Sequence, residues 1–199
     1  MPGRVIDSSA MRETSKCYSL RKARGDFDNF LRGRGIDIGC GNDPLKVDNG
    51  SVRPWDIPDG DAQVMAGVPD GELDFVYSSH CLEHMRDVPT TLHHWARIVK
   101  PGGFLYFAVP EYFLYEKMTW PSMFNTDHKQ SFSVLISRRQ VQRPNHYHTT
   151  EDMIPLMTSL GLEPIRITLE DHGFNYNCGI LDQTLQHAIA QLCFVAKKK

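Results

Sequence analysis

The 199-residue chain has a formal net charge of −2, with 41% apolar and 23% charged residues. That length suits one domain that buries its own core. No apolar run approaches the roughly 18 residues of a membrane span, and the near-neutral balance gives no global field for nucleic acid or an anionic membrane.

The segment 1–33 mixes polar and basic residues with a few apolar anchors (Tyr18, Leu20, Phe27, Phe30, Leu31) and is expected to form a helical layer. Short apolar strands then recur. Ile36-Asp37-Ile38 is stopped by Gly39, and Val52 to Asp56 is a poorer strand because Pro54 cannot donate to a ladder. Gln63-Val64-Met65 is a weak third strand, Leu73 to Tyr77 a good fourth, and Phe104 to Val109 the clearest. The helix before that last strand, with Leu92, Trp95, Ile98 and Val99 on one stripe, is expected to take Thr90 or Thr91 as its cap. Strand, helix and strand in short alternation predict a parallel α/β sheet buried on both faces. Further on, helices are expected over Glu151 to Leu160 and Leu181 to Ile189, and strands over Ile165 to Leu169 and Leu192 to Ala196. The stretch from Glu111 to His148 is aromatic, rich in histidine and aperiodic, so it is expected to carry specificity.

Five scattered cysteines (Cys17, Cys40, Cys81, Cys178, Cys193) form no Cys-x-x-Cys pair, and Met1-Pro2-Gly3-Arg4 leads into no signal-peptide core. A cytoplasmic chain with reduced thiols is the expectation.

The chemistry concentrates in Gly35-Ile36-Asp37-Ile38-Gly39-Cys40-Gly41-Asn42-Asp43. An apolar strand enters a turn whose glycines admit positive φ and close approach by a ligand. An acid before the glycines suits a cofactor with a cationic amine. A dinucleotide fingerprint would place a glycine where Pro44 stands, and Asp43 would repel a pyrophosphate. A Walker loop would need Gly-Lys-Ser/Thr, which is missing.

From Gly35 to Pro110 the sequence resembles the class I S-adenosylmethionine-dependent methyltransferases, in particular the "type 11" domain. Ile36-Asp37-Ile38-Gly39-Cys40-Gly41 matches the first motif, and Asp56 falls at the acid ending the second strand. Gly60-Asp61-Ala62 resembles the stretch beside the adenine. Leu82-Glu83-His84, with Arg97 to Gly103, is similar to the family's LEH…RxLKPGG pattern. Asp43 replaces the family's third loop glycine, and Asp56 and Asp61 are too close for the usual intervening helix.

The resemblance implies a single Rossmann-like domain over 1–199, with a cofactor core at 34–110, a substrate-side insert at 111–148 and a C-terminal part at 149–199. Its sheet would be seven-stranded and mostly parallel, with an antiparallel last strand and helices on both faces. The implied cofactor is S-adenosyl-L-methionine. Asp37 would hold its amine, with Gly39, Cys40 and Gly41 along the methionine part. Asp56 and Ile57 would lie at the ribose, Asp61 and Ala62 along the adenine, and Ser78, Ser79 and His80 near the methyl group.

For catalysis, His80 after the fourth strand is a candidate base or substrate contact. Asn125-Thr126-Asp127-His128-Lys129 offers Asp127 to orient His128, against the plainer reading of a charged loop turn. Tyr112, Tyr115 and Trp120 either line an acceptor pocket or cover the sheet. Glu83 and His84 are expected to cap and pack the following helix, and His93-His94 to face solvent or pack. His146-Tyr147-His148 offers two imidazoles on one strand face, but no acidic ligands accompany them, so no metal is expected.

The expected activity is methyl transfer to a small polar acceptor such as a sugar or nucleotide-sugar, with oxygen favoured over nitrogen. Nucleic-acid methylation is the alternative. Ser78-Ser79-His80-Cys81 lacks the Asp/Asn-Pro-Pro-Tyr/Phe of base-amino enzymes, whereas basic residues at Arg12 to Arg24 and Arg138 to Arg143 keep that reading open. A non-catalytic, cofactor-binding member of the fold is the third.

Overall fold

The computed structural model describes residues 13–199; Arg12, of the N-terminal basic group, lies outside them. Three short helices come first: α1 (Glu13–Lys16), α2 (Tyr18–Ala23) and α3 (Asp26–Asn29). The sheet is built from β1 (Gly33–Ile38), β2 (Gly50–Trp55), β3 (Leu73–Ser79), β4 (Val99–Pro110), β7 (Leu162–Glu170) and β8 (Gln191–Lys198). Between β4 and β7, strands β5 (Ser131–Ser133) and β6 (His146–His148) pair separately. The main order is β2-β1-β3-β4-β8-β7; β1 to β4 are parallel, and β8 runs antiparallel to both its neighbours.

This is the expected Rossmann-like α/β sheet with an antiparallel last strand, but it has six strands among the described residues, not seven. The missing strand is Gln63-Val64-Met65. Asp61 Oδ1 accepts from Gln63 N at 2.8 Å, and its carbonyl accepts from Val64 N and Met65 N. These local bonds turn the backbone, with Met65 at φ 47°, before a ladder can form. Pro54 is tolerated because β2 is an edge strand.

Alternate residues of the strands feed two cores. Ile36, Ile38, Val76, Leu105 and Phe107 pack against α4 (Val88–Ile98), together with Met153 and Met157. On the other face Phe75, Tyr77, Tyr106 and Val195 meet Phe27 and Leu31 of the N-terminal segment.

The cap of α4 is Asp87, whose Oδ1 accepts from Thr90 N at 2.8 Å, and Pro89 occupies the first turn. This replaces the expected Thr90 or Thr91, because a capping carboxylate with proline in the first turn starts the helix three or four residues earlier. At its far end Arg97 donates to the carbonyls of Val64, Met65 and Val68 and pairs with Asp70, so it bolts the turn region to the helix.

The helix expected from Glu151 opens as a π turn over Thr149–Met153 and continues as α5 (Ile154–Ser159), with Pro155 in its first turn. The helix expected over Leu181 to Ile189 is only a 3-10 turn, Gln183–Gln186. Asp182 caps it, and His187 at φ 70° ends it. All five cysteines are free, and no helix among the described residues is long and apolar enough to cross a membrane.

Candidate active site

The carboxyl ends of β1, β2 and β3 open into one cleft of about 510 Å³. They flank the point where the chain first steps to either side of β1, which is where open α/β sheets bind ligands. Gly39, Asp56, Ile57, Asp61 and Ala62 form one wall, and His80, Cys81, His84, Met85 and Asp127 the other. A smaller recess of about 160 Å³ beyond His80 is lined by Cys40, Gly41, Asp43 and Ser79 with Glu13 and Thr14. His80 borders both spaces.

Gly39 sits at φ +75°, and a Cβ there would lie 2.6 Å from Cys81 Cβ and Sγ. The loop therefore needs glycine for space as well as for conformation. Gly41 donates its N–H to Asp56 Oδ2 at 2.5 Å, while Asp56 Oδ1 accepts from Ile57 N at 2.7 Å. The same carboxylate thus joins the glycine loop to the turn after β2 and borders the cleft. Ile57, 89% exposed, presents its side chain there. Farther along the same wall, Asp61 pairs with Arg86 at 2.8 Å, and the Ala62 carbonyl accepts from Trp95 Nε1 at 2.8 Å.

Asp37 lies beneath the loop, 1% exposed. Its Oδ2 accepts from Leu45 N at 2.7 Å, and its Oδ1 has no partner among the described residues. Burial pushes this carboxyl up to about 7, against the backbone bond and nearby Arg21. A buried oxygen without a donor is a vacancy for a cation or a proton. Asp43, at the position of the missing third glycine, accepts from Ser15 N at 2.8 Å and from Ser15 Oγ, so it fastens α1 over the loop.

Ser78 and Ser79 part company. The Ser78 hydroxyl donates to Ile38 O at 2.9 Å inside the sheet, whereas Ser79 borders the recess with its hydroxyl unpartnered among the described residues. His80 has φ 54°, and its Nε2 lies 2.8 Å from Gln191 Oε1. The Gln191 amide nitrogen is engaged by Glu170 Oε2 at 2.5 Å, so the amide oxygen faces His80 and must accept. His80 is thereby protonated on Nε2, and its Nδ1, left as an acceptor, lies 3.7 Å from Glu83 Oε1. Burial lowers the pKa of this imidazole below its ordinary value.

The insert returns to this wall: Lys129 N and Gln130 N donate to Glu83 O at 2.8 and 2.9 Å. The expected Asp127–His128 pair does not form. Asp127 Oδ2 instead lies 2.9 Å from His84 Nδ1, and His128 Nδ1 lies 2.7 Å from Glu116 Oε1. Glu83 and His84, expected only to pack, take part in this cluster: His84 borders the cleft and Glu83 is 1% exposed. Burial raises the Glu83 carboxyl well above its usual range. Glu83, His84 and Glu116 had no signal beyond the LEH spacing, since their partners stand far along the chain.

Of the aromatic candidates, Tyr115 packs on His128, with centroids 5.5 Å apart. Tyr112 and Trp120 lie outside the cleft; their rings hold the Arg143 guanidinium at 4.8 and 4.2 Å. His146 is hydrogen-bonded between Ser131 and Ser133, and His148 caps the π turn.

The comparisons with known proteins agree with this geometry. A family model described as "Methyltransferase domain" matches residues 12–163, most of the chain. The chain belongs to the methyltransferase-domain family. No curated protein matches it in sequence. A SAM-dependent methyltransferase from Archaeoglobus fulgidus is similar in structure, with TM-score 0.58, 17% identity and 95% of each chain covered. A Listeria monocytogenes protein described as a "putative S-adenosylmethionine dependent methyltransferase" gives TM-score 0.56 at 12% identity, over 92% of this chain and 96% of that one. A Thermotoga maritima protein described as a possible histamine N-methyltransferase gives TM-score 0.52 at 21% identity, over 90% and 89%. At these identities the likeness establishes the class I fold.

S-adenosyl-L-methionine, the cofactor of this family, fits the residues present. Asp37 has an unpartnered buried oxygen beneath the glycine loop, Gly39 keeps the loop clear of Cβ atoms, and Asp56 brings a carboxylate to the cleft. The volume lies within the roughly 300–1,000 Å³ typical of cofactor sites.

Proposed function

We propose that this methyltransferase acts on a hydroxyl group of a small polar acceptor, such as a sugar or nucleotide-sugar, with His80 taking the acceptor's proton. The observation that carries this reading is the His80 imidazole, held through Nε2 by Gln191 at the border of the two spaces with Nδ1 left unprotonated. The cofactor supplies a methyl group on a sulfonium whose sulfur departs as a neutral thioether. Asp37 holds the amine, Gly39, Cys40 and Gly41 follow the methionine part, and Asp56 with Ile57 holds the ribose. Asp61 and Ala62 flank the adenine, and Ser79 borders the methionine end. Asp127 and the buried His128 form the acceptor side, with Tyr115 behind them.

The imidazoles and carboxylates of that wall suit a hydroxylated ligand. The alternative substrate, nucleic acid, loses its main support. Lys16 pairs with Glu13, Arg21 is buried against Tyr77, Arg24 pairs with Asp26 and Glu170, Arg138 binds carbonyls, and Arg143 lies between two rings. These five cations are engaged within the fold, while Lys22 and Arg139 stay exposed, so fewer charges remain to release counterions from phosphates.

Methyl transfer from labelled cofactor to a panel of sugars, nucleotide-sugars, amines, RNA and DNA tests the reading. Product on a hydroxyl is expected, and His80→Gln should cut turnover by about 10²–10⁴-fold with little change in cofactor affinity. Label confined to polynucleotide, or full turnover in His80→Gln, would overturn it.

A further inference from the structure

Behind the acceptor wall, three side chains aim lone pairs at one another. His84 Nδ1 meets Asp127 Oδ2 at 2.9 Å, and His128 Nδ1 meets Glu116 Oε1 at 2.7 Å. A carboxylate beside Nδ1 places the proton there and leaves Nε2 bare. Both bare nitrogens face the same atom, as does His80 Nδ1: His84 Nε2 lies 3.9 Å, His128 Nε2 4.0 Å and His80 Nδ1 3.7 Å from Glu83 Oε1. Glu83 is 1% exposed, and neither of its oxygens has a hydrogen-bond partner among the described residues. Lone pairs converging on a buried, unpartnered carboxyl repel one another until a proton or a metal cation sits among them.

We propose that Glu83, His84 and His128 bind a divalent first-row transition metal ion, with Asp127 and Glu116 as the outer carboxylates that orient the two imidazoles. The three donor atoms already lie within 4.8 Å of one another. With metal–ligand bonds of about 2.0–2.2 Å, ligands across one ion stand at most about 4.4 Å apart, so a small closure completes the site. Imidazole nitrogens select a transition ion over Ca²⁺ or Mg²⁺. Carboxylate-held imidazoles are the usual outer arrangement of such centres.

Two histidines and one carboxylate leave coordination positions open, as in catalytic rather than structural sites. His84 and Asp127 border the cleft, so the open side takes an oxygen from that space. Water fills it at rest, and the acceptor's hydroxyl replaces it; this last step alone rests on the proposed substrate class.

The test is metal binding to the chelator-treated full chain, with Co²⁺ followed by visible absorption and Zn²⁺ by calorimetry. One equivalent is expected, with a d–d band for Co²⁺. Glu83→Gln and His128→Gln should weaken binding at least about 100-fold, and Asp127→Ala about 10–100-fold. Cofactor affinity and thermal melting report whether each variant folds. Should Glu83→Gln fail, His84→Gln, whose side chain is 25% exposed, provides the second variant. Absence of stoichiometric binding, or binding that survives these substitutions, overturns the proposal and leaves a proton shared within the cluster. Hydroxyl methylation by a chain that binds no metal refutes only this site, whereas tight metal binding without hydroxyl methylation supports the site and refutes the substrate class.

Discussion

The Asp56 carboxylate lies 2.5 Å from the Gly41 amide and accepts its N–H across the mouth of the cleft. It holds the glycine loop against the turn after β2, and in the proposed site it also accepts from the ribose hydroxyls. Asp56→Ala removes both. Cofactor affinity should fall about 100-fold, with a loss of about 1 kcal/mol of stability for the loop bond. Calorimetric titration with S-adenosylhomocysteine and a denaturant melt separate the two effects.

With the cofactor's amine at Asp37, as proposed, cofactor binding should depend on pH. Its carboxyl is raised by burial from 3.8 to about 7, and it must ionise to hold an ammonium. Affinity should fall roughly tenfold per pH unit as pH drops below about 7. Titrations between pH 5 and 8, in ~0.5-unit steps, check this; a flat profile contradicts the assignment.

The same shift predicts a trade of stability against function. A carboxyl whose pKa is raised in the folded chain favours folding in its neutral form. Its contribution is full below 3.8 and is lost as pH rises through about 7. Asp37→Asn, which keeps an oxygen for Leu45 N, should stabilise the cofactor-free chain by about 2 kcal/mol at pH 8 and by little at pH 4. It should also lose cofactor binding. Melts at the two pH values measure the first effect.

Asp43 fastens the N-terminal segment through Ser15. Asp43→Gly restores the glycine of the family motif yet removes that attachment, at a cost of about 1–2 kcal/mol. Faster hydrogen exchange over residues 13 to 20, with the sheet unchanged, is the expected result.

Trp95 is fully buried, and its indole donates to the Ala62 carbonyl at 2.8 Å. Trp95→Phe should destabilise the chain by about 2–3 kcal/mol and leave the Ala62 carbonyl unpaired. Because Ala62 forms part of the cleft wall, KM for the cofactor should rise while turnover changes less.

What could be read from the sequence follows from distance along the chain. The strand, acid and glycine turn at 35–43 are contiguous, so residue types alone identified the loop. β3, β4 and the stripe of α4 were equally plain, because local periodicity marks burial. The seventh strand failed because propensity could not weigh the Asp61 side chain as a competing acceptor for Gln63. Around His128 the nearest acid in sequence, Asp127, was the wrong partner. The actual partner, Glu116, is reached only when the insert folds back, and Asp127 crosses 43 residues to His84. Tyr112 and Trp120 had the composition of an acceptor pocket, but Arg143 occupies the space between them. Pairings of this kind are decided by tertiary closure, which spacing does not encode.

The central claim is that one cleft holds the cofactor with its reactive end toward His80. A crystal structure with S-adenosylhomocysteine tests it most directly. The account predicts the amine at Asp37, the ribose at Asp56, the adenine between Ile57 and Ala62, and the sulfur facing His80. Cofactor bound elsewhere, or a sulfur turned away from His80 toward the sheet, would contradict it.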